Sequence, residues 1–214
     1  MAARSSDAAS STVITHAASI RHTHGARQVV TVTASRLDST HADVRIYARH
    51  GNRWVLHGGP WPAWIGRAGF AAAGRKREGD GKTPSGSFGF SFFFGVAPRP
   101  AVHYPWRYAS AHDFWDDDSA SPRYNEWVDA QQHSPGRDPE PLHVSPSYDD
   151  VAVIGYNTAR TPGRGSAIFL HVTHHSPTSG CVALARHDVL RILRWLRPAD
   201  DPRIVMGTTH SVFG

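Results

Sequence analysis

Among its 214 residues the chain holds one cysteine, Cys181. With no second thiol it forms no intramolecular disulfide and no cysteine-based zinc knuckle, so Cys181 is either a small buried apolar side chain or a nucleophile. A thiol attacks a carbonyl carbon well only as the thiolate. An ordinary cysteine, with a pKa of about 8.5, is mostly protonated at neutral pH, so a catalytic one needs a base or positive potential beside it. His171 is the candidate base, at the end of the apolar run Ile168-Phe169-Leu170-His171. A hairpin-like return through His174-His175-Ser176-Pro177-Thr178 would bring Cys181 alongside it. In Thr178-Ser179-Gly180-Cys181, Gly180 lets the backbone bend close to a substrate, and the amides of Ser179, Gly180 and Cys181 can converge as an oxyanion hole. A helix starting soon after Cys181 would add positive potential from its N-terminal end. The competing reading is structural: a lone cysteine is commonly a core residue, and a lone histidine on an apolar strand is commonly satisfied by its neighbours.

The elements that must position these groups are mostly strands. Residues Met1 to Arg27, rich in Ser, Ala, Thr and His, read as a mobile tail before a domain spanning 28–214. Three β-type runs follow, Gln28 to Thr33, Asp43 to Ala48 and Arg53 to His57, with Gly51-Asn52 and Gly58-Gly59-Pro60 as turn formers. A Gly/Pro-rich loop, Gly79-Asp80-Gly81-Lys82-Thr83-Pro84-Ser85-Gly86, leads into Ser87 to Gly95, where Phe88, Phe90, Phe92 and Phe94 alternate as in a half-buried, central strand. Pro98 to Ser147 has no clear period and reads as one long ordered excursion. Val151 to Tyr156 and Ala167 to Val172 read as buried strands, Asp188 to Arg197 as an amphipathic helix stopped by Pro198, and Arg203 to Met206 as a closing strand. The predicted fold is mainly β, a sandwich or barrel-like domain with minor helical content.

Composition narrows the function. No run of about 18 apolar residues occurs, so a membrane-spanning helix is not expected. The first thirty residues lack the apolar block of a secretory signal. The formal charge of +5 favours an anionic partner. The basic residues are scattered, apart from Arg75-Lys76-Arg77, and no zinc finger, homeodomain or RNA-binding signature accompanies them, which argues against nucleic acid. The Gly79–Gly86 loop lacks phosphate-loop spacing and reads chiefly as the turn that enters a strand.

Thr178-Ser179-Gly180-Cys181, preceded by Phe169-Leu170-His171 and combined with Asp80-Gly81-Lys82-Thr83-Pro84-Ser85-Gly86-Ser87-Phe88, resembles the L,D-transpeptidase (YkuD-like) catalytic domain of bacterial cell-wall enzymes. The resemblance extends from about Gln28 to Gly207. It implies a β-sandwich-like fold and a cysteine nucleophile acting on peptidoglycan stem peptides. The terminal D-alanine leaves, a thioester acyl-enzyme forms, and a neighbouring stem's amine resolves it into a 3→3 cross-link; water would instead give an L,D-carboxypeptidase. The implied workplace is the cell envelope or beyond it, with no metal or organic cofactor. Cys181 matches the nucleophile, His171 the upstream base and Gly180 the glycine beside the nucleophile. The family's usual Ser-His-Gly-Cys, followed two places on by Arg or Asn, departs here: Ser179 replaces the second His and Ala183 the Arg or Asn. Proton transfer then falls on His171, through a thiolate–imidazolium pair, with Thr173 or a backbone carbonyl orienting the ring. Arg186 is a candidate substitute for the missing substrate-orienting residue.

Other candidates are Arg164, for a substrate carboxylate, and Tyr124 and Trp127, as an aromatic wall or, on the structural reading, a satellite hydrophobic cluster beneath the excursion. Asp116-Asp117-Asp118 reads as a solvated turn or as a counter-charge to an acceptor amine. Two further function classes remain: a non-catalytic domain that binds wall peptide, and a zinc-dependent hydrolase using His171, His174, His175 and Cys181.

Overall fold

The computed structural model describes residues 19–214. Strands β1 (Gln28–Ala34), β2 (His41–His50) and β3 (Arg53–Trp64) form an antiparallel meander. Short strands β4 (Phe70–Ala71) and β5 (Thr83–Pro84) bracket the Gly/Pro loop, and β6 (Gly86–Phe88) and β7 (Phe90–Gly95) follow it. The excursion contributes β8 (Trp106–Tyr108), β9 (Asp113–Asp116), β10 (Glu126–Asp129) and β11 (Glu140–Pro141). The chain ends with β12 (Val151–Ile154), β13 (Phe169–Val172), β14 (Val182–Leu184), helix α1 (Arg186–Trp195), a 3-10 turn at Pro198–Asp200, β15 (Arg203–Thr208) and helix α2 (Thr209–Phe213). The fold is mainly β with little helix, as the sequence indicates.

Ten strands make one sheet in the order β6-β15-β1-β2-β3-β14-β13-β12-β7-β8. Only Gly89 separates β6 from β7, yet β6 begins that order and β7 stands next to its other end, so the sheet curls until its ends approach; the Gly155 amide donates to the Gly89 carbonyl at 2.9 Å. Inside the curl, Val30, Val44, Phe93, Leu170, Leu184 and Ile204 pack with Val189, Ile192, Leu193 and Leu196 of the α1 segment. Outside it, β10-β9-β11 form a three-stranded sheet over a second cluster with Phe94, Trp115, Leu142, Tyr148, Val153, Phe169 and Cys181. Both layers are visible in β13: Leu170 and Val172 enter the inner core, whereas Phe169 lies in the outer cluster and His171 meets the Tyr148 ring edge-on. The candidate site therefore lies between the curled sheet and the excursion.

Several expectations change. Ile20 and Ala26 are buried with Val29, Tyr47, Trp54 and Val212, and the Arg21 amide donates to the Val212 carbonyl, so the segment from Ile20 belongs to the domain rather than to a tail; residues 1–18 lie outside the described residues. Gly58-Gly59-Pro60 does not turn the chain. Strand β3 continues through it with shifts in its register against β2, because Gly59, at φ 90°, lies where a Cβ would come within 2.4 Å of the Val44 carbonyl oxygen. The phenylalanine run is broken at Gly89: β6 is an edge strand, and Phe90 and Phe93 pack inward while Phe92 and Phe94 pack outward, beside an irregularity at Ala152/Ile154.

Candidate active site

Strands β13 and β14 pair in parallel, Leu170 against Val182 and His171 against Ala183. The segment between them is thus a crossover and not the hairpin expected. Extending the register by one step sets Cys181 opposite Phe169, on the face that also carries His171. Two residues along the strand and one strand across put the Cys181 and His171 Cα atoms about 8 Å apart. Strand β14 and Ala185 separate Cys181 from α1, so the helix start is too far along the chain to act on the thiol.

The loop before Cys181 is stitched on both sides. The Thr178 amide donates to the Ile65 carbonyl and the Arg67 amide to the Thr178 carbonyl, at 2.9 and 2.8 Å. The Thr178 hydroxyl donates to the Cys181 carbonyl and accepts from the Gly180 amide. Thr83, from the Gly/Pro loop, also donates to the Cys181 carbonyl while accepting from the Gly66 amide. Gly180 has φ 156°, and a Cβ there would come to 3.0 Å from the Lys82 carbonyl oxygen. The Gly180 amide is therefore already engaged and drops out of the expected oxyanion hole. Among the described residues, those of Ser179 and Cys181 donate to no protein acceptor.

The Cys181 thiol donates to the Ala167 carbonyl at 3.2 Å and accepts from the Phe169 amide at 3.4 Å. Ala167 adopts φ 50°, which aims its carbonyl at the sulfur, and its amide donates to Asn125. Cys181 is 8% exposed, and that exposed part opens into a cleft of about 480 Å³ shared with His171, Ser179, Gly180, Ser147 and Tyr148. The His171 Nδ1 lies 2.9 Å from the Val172 carbonyl oxygen, so a backbone carbonyl orients the ring. Burial pushes the thiol up to about 12, with Glu140 adding to the rise and the Phe169 amide and Lys76 opposing it. Burial pulls His171 down to about 4 against the Val172 and Ser147 backbone, which favour the protonated ring. Both shifts favour the neutral thiol and the neutral imidazole over a thiolate–imidazolium pair.

Glu78, Asp117 and Glu140 also line the cleft and make it acidic. Tyr124 and Ser166 donate to Glu78, and Tyr148 donates to Glu140 at 2.8 Å. Burial first, then the charges of Glu78 and Glu140, push the Asp117 carboxyl up to about 7. Lys76 and Arg67 supply the positive side. Lys76 is buried and bonded to Asp80 at 2.7 Å and to the Arg77 carbonyl, whereas Arg67 reaches across to the Ser179 hydroxyl at 2.9 Å.

The family model of the YkuD type, the L,D-transpeptidase catalytic domain, matches residues 39–208. The chain belongs to that family. A comparison with curated proteins gives no match.

Within this L,D-transpeptidase domain the remaining candidates scatter. Arg164 is exposed and does not line the cleft; its carbonyl accepts from Tyr156. Arg186 opens α1 and pairs with Asp150 at 2.8 Å, away from the cleft, so it does not stand in for the missing Arg or Asn. Trp127 donates to Asp113 and packs on Phe92 and Phe94, a satellite cluster and not a cleft wall. Tyr124 is buried behind Glu78 and reaches the cleft only through that carboxylate. The acidic run divides: Asp116 and Asp118 accept backbone amides of the excursion, and Asp117 alone faces the cleft. Among the described residues no group of three or more His, Cys, Asp or Glu side chains is placed to hold a metal, so His171, His174, His175 and Cys181 do not form a zinc site. No helix among them is long and apolar enough to cross a membrane.

Sequence reasoning missed Arg67, Glu78, Glu140 and Tyr148. One local signal was there to read: Glu78 stands immediately before the Gly79–Gly86 loop.

Proposed function

We propose that the domain is a cysteine-nucleophile L,D-transpeptidase acting on peptidoglycan stem peptides at the cell envelope. The observation that carries this is the placement of the Cys181 thiol and the His171 imidazole in one cleft, within a chain of this family. With Nδ1 donating to the Val172 carbonyl, the neutral ring presents Nε2 as the free base. His171 takes the thiol proton as the sulfur attacks the carbonyl carbon of the stem's last amide. The Ser179 and Cys181 amides receive the developing oxyanion. The C–N bond breaks, the proton passes to the departing D-alanine amine, and a thioester remains on Cys181. A second stem's amine, losing its proton to His171, closes the cycle as a 3→3 cross-link; water in its place gives the L,D-carboxypeptidase outcome. Asp117, which also lines the cleft, suits the cationic form of the incoming amine.

Burying both groups in neutral form makes deprotonation concurrent with attack. It also keeps the thiol unreactive until a substrate fills the cleft. Intact-mass measurement after incubation with a carbapenem or a tetrapeptide donor tests the assignment. The protein gains one adduct, and Cys181→Ala gains none; an adduct on Cys181→Ala refutes the nucleophile. The deep burial of the thiol favours one rival, a domain that binds wall peptide without turning it over. That rival predicts saturable peptide binding and no adduct on either protein.

A further inference from the structure

Arg67 is a cleft cation bonded to Ser179 and, among the described residues, paired with no acidic side chain. Its backbone is pinned by the bond to the Thr178 carbonyl and by the neighbouring Gly66–Thr178 bridge. Its side chain lies over Gly81, at φ 66°, where a Cβ would meet the Arg67 Cγ, Nε and Cζ at 3.0 Å. Only a glycine leaves the guanidinium that path. At its far end one N–H, from Nη1, bonds to the Ser179 hydroxyl. Among the described residues the guanidinium's four other N–H groups make no side-chain bond and Arg67 forms no ion pair. The other cleft cation is different in kind: Lys76 is buried and paired to Asp80.

We propose that Arg67 binds the free α-carboxylate of the residue that leaves, and so makes a carboxy-terminal stem residue the preferred donor. This rests on the transpeptidase reading. The attacked carbonyl and that carboxylate are separated by one residue, at most about 3.6 Å of chain. The guanidinium is bonded to Ser179, the residue whose amide is assigned to the oxyanion, so it lies within reach of a group one residue beyond the attacked carbonyl. A planar guanidinium takes a carboxylate through two parallel N–H···O bonds, which an ammonium group does not do. Glu78, Asp117 and Glu140 in the same cleft repel a carboxylate, so the Arg67 guanidinium is its favourable partner there. Arg67 touches substrate without handling a proton, and acts on donor selection.

The test uses two donor tetrapeptides identical except for a C-terminal carboxylate or carboxamide, with thioester formation on Cys181 and release of the last residue followed by mass spectrometry. The protein is expected to favour the carboxylate donor by roughly ten- to a hundred-fold in kcat/KM. Arg67→Ala abolishes the preference, lowering the carboxylate donor far more than the carboxamide donor. Arg67→Lys recovers part of the preference. Ser179→Ala, which keeps the amide and frees only the guanidinium, narrows the preference without abolishing thioester formation, and serves if Arg67→Ala does not fold. Equal rates for both donors on the unaltered protein overturn the inference, as does an Arg67→Ala that slows both alike, which would make Arg67 a support for the loop. Absence of thioester with either donor on the unaltered protein defeats the transpeptidase reading itself, and this inference with it.

Discussion

If Cys181 rests as a neutral thiol, its alkylation in the free protein has a characteristic pH dependence. With the thiol at about 12, the thiolate fraction at pH 7 is roughly one in 100,000, against about three in 100 for an ordinary exposed cysteine. That deficit is about 3.5 orders of magnitude. A more basic thiolate is also the better nucleophile, by about 0.4 to 0.5 log units per pKa unit, which returns roughly 1.5 orders. Iodoacetamide should therefore label Cys181 about a hundred times more slowly than a cysteine peptide at pH 7, before burial slows it further. The rate should rise about tenfold per pH unit from pH 6 to 10 with no plateau, since ionisation stays incomplete throughout. Labelling followed by intact mass, at fixed reagent and stepped pH, reads this directly. A flat, fast rate between pH 5 and 9 would refute the reasoning, because only a preformed thiolate–imidazolium pair is ionised across that window.

Three other outcomes follow from the same geometry. The Glu140 charge holds the thiol up, so Glu140→Gln should shift the alkylation profile to lower pH; an unmoved profile removes Glu140 from the thiol's electrostatics. His171 is lowered to about 4 from an unfolded value near 6.5, so the unfolded chain binds the extra proton and stability falls as pH drops through that interval, by about 3 kcal/mol in all. Urea denaturation at pH 7 and pH 4 should show His171→Asn losing less by that amount, and parallel losses would contradict a buried neutral imidazole. Thr83→Val leaves the buried Gly66 amide without its acceptor and the Cys181 carbonyl with one donor fewer. It should cost about 1 to 3 kcal/mol in urea unfolding and slow adduct formation, and an unchanged midpoint would show that the loop does not depend on that hydroxyl.

The sequence carried the parts of the site that are local. Cys181, Gly180 and Ser179 are contiguous, and His171 ends a run whose alternation sends it to the outer face with Phe169, so type and period sufficed. The parts built by long-range pairing were not legible. Arg67 reaches Ser179 only because β14 pairs with β3 and the chain after β3 bridges to Thr178, a contact across more than a hundred residues. Glu140 comes from, and Tyr148 directly follows, an excursion whose strands have two to four residues, too short to show a period. Arg164 and Arg186 were misplaced for the complementary reason: closeness in sequence to the site says little where a buried strand or a tight turn carries the side chain away. Asp117 was half readable, since its run was visible but not the turning of Asp116 and Asp118 toward backbone amides. At Gly58-Gly59-Pro60 the glycine signal was real and its meaning differed, because close approach of two backbones asks for glycine as strongly as a reversal does.

The two ends of the described chain meet: β1 and β15 run side by side in the same direction, and Arg21 is tied to Val212. A tether pulling on both ends would draw these neighbours lengthwise past one another, so the ladder from Val29–Arg203 to Ala34–Thr208 would bear the load all at once instead of opening rung by rung. Joined to anything at either end, the domain should resist stretching far better than its modest helices would suggest. Its cleft, on the strands remote from that seam, would keep its shape under tension.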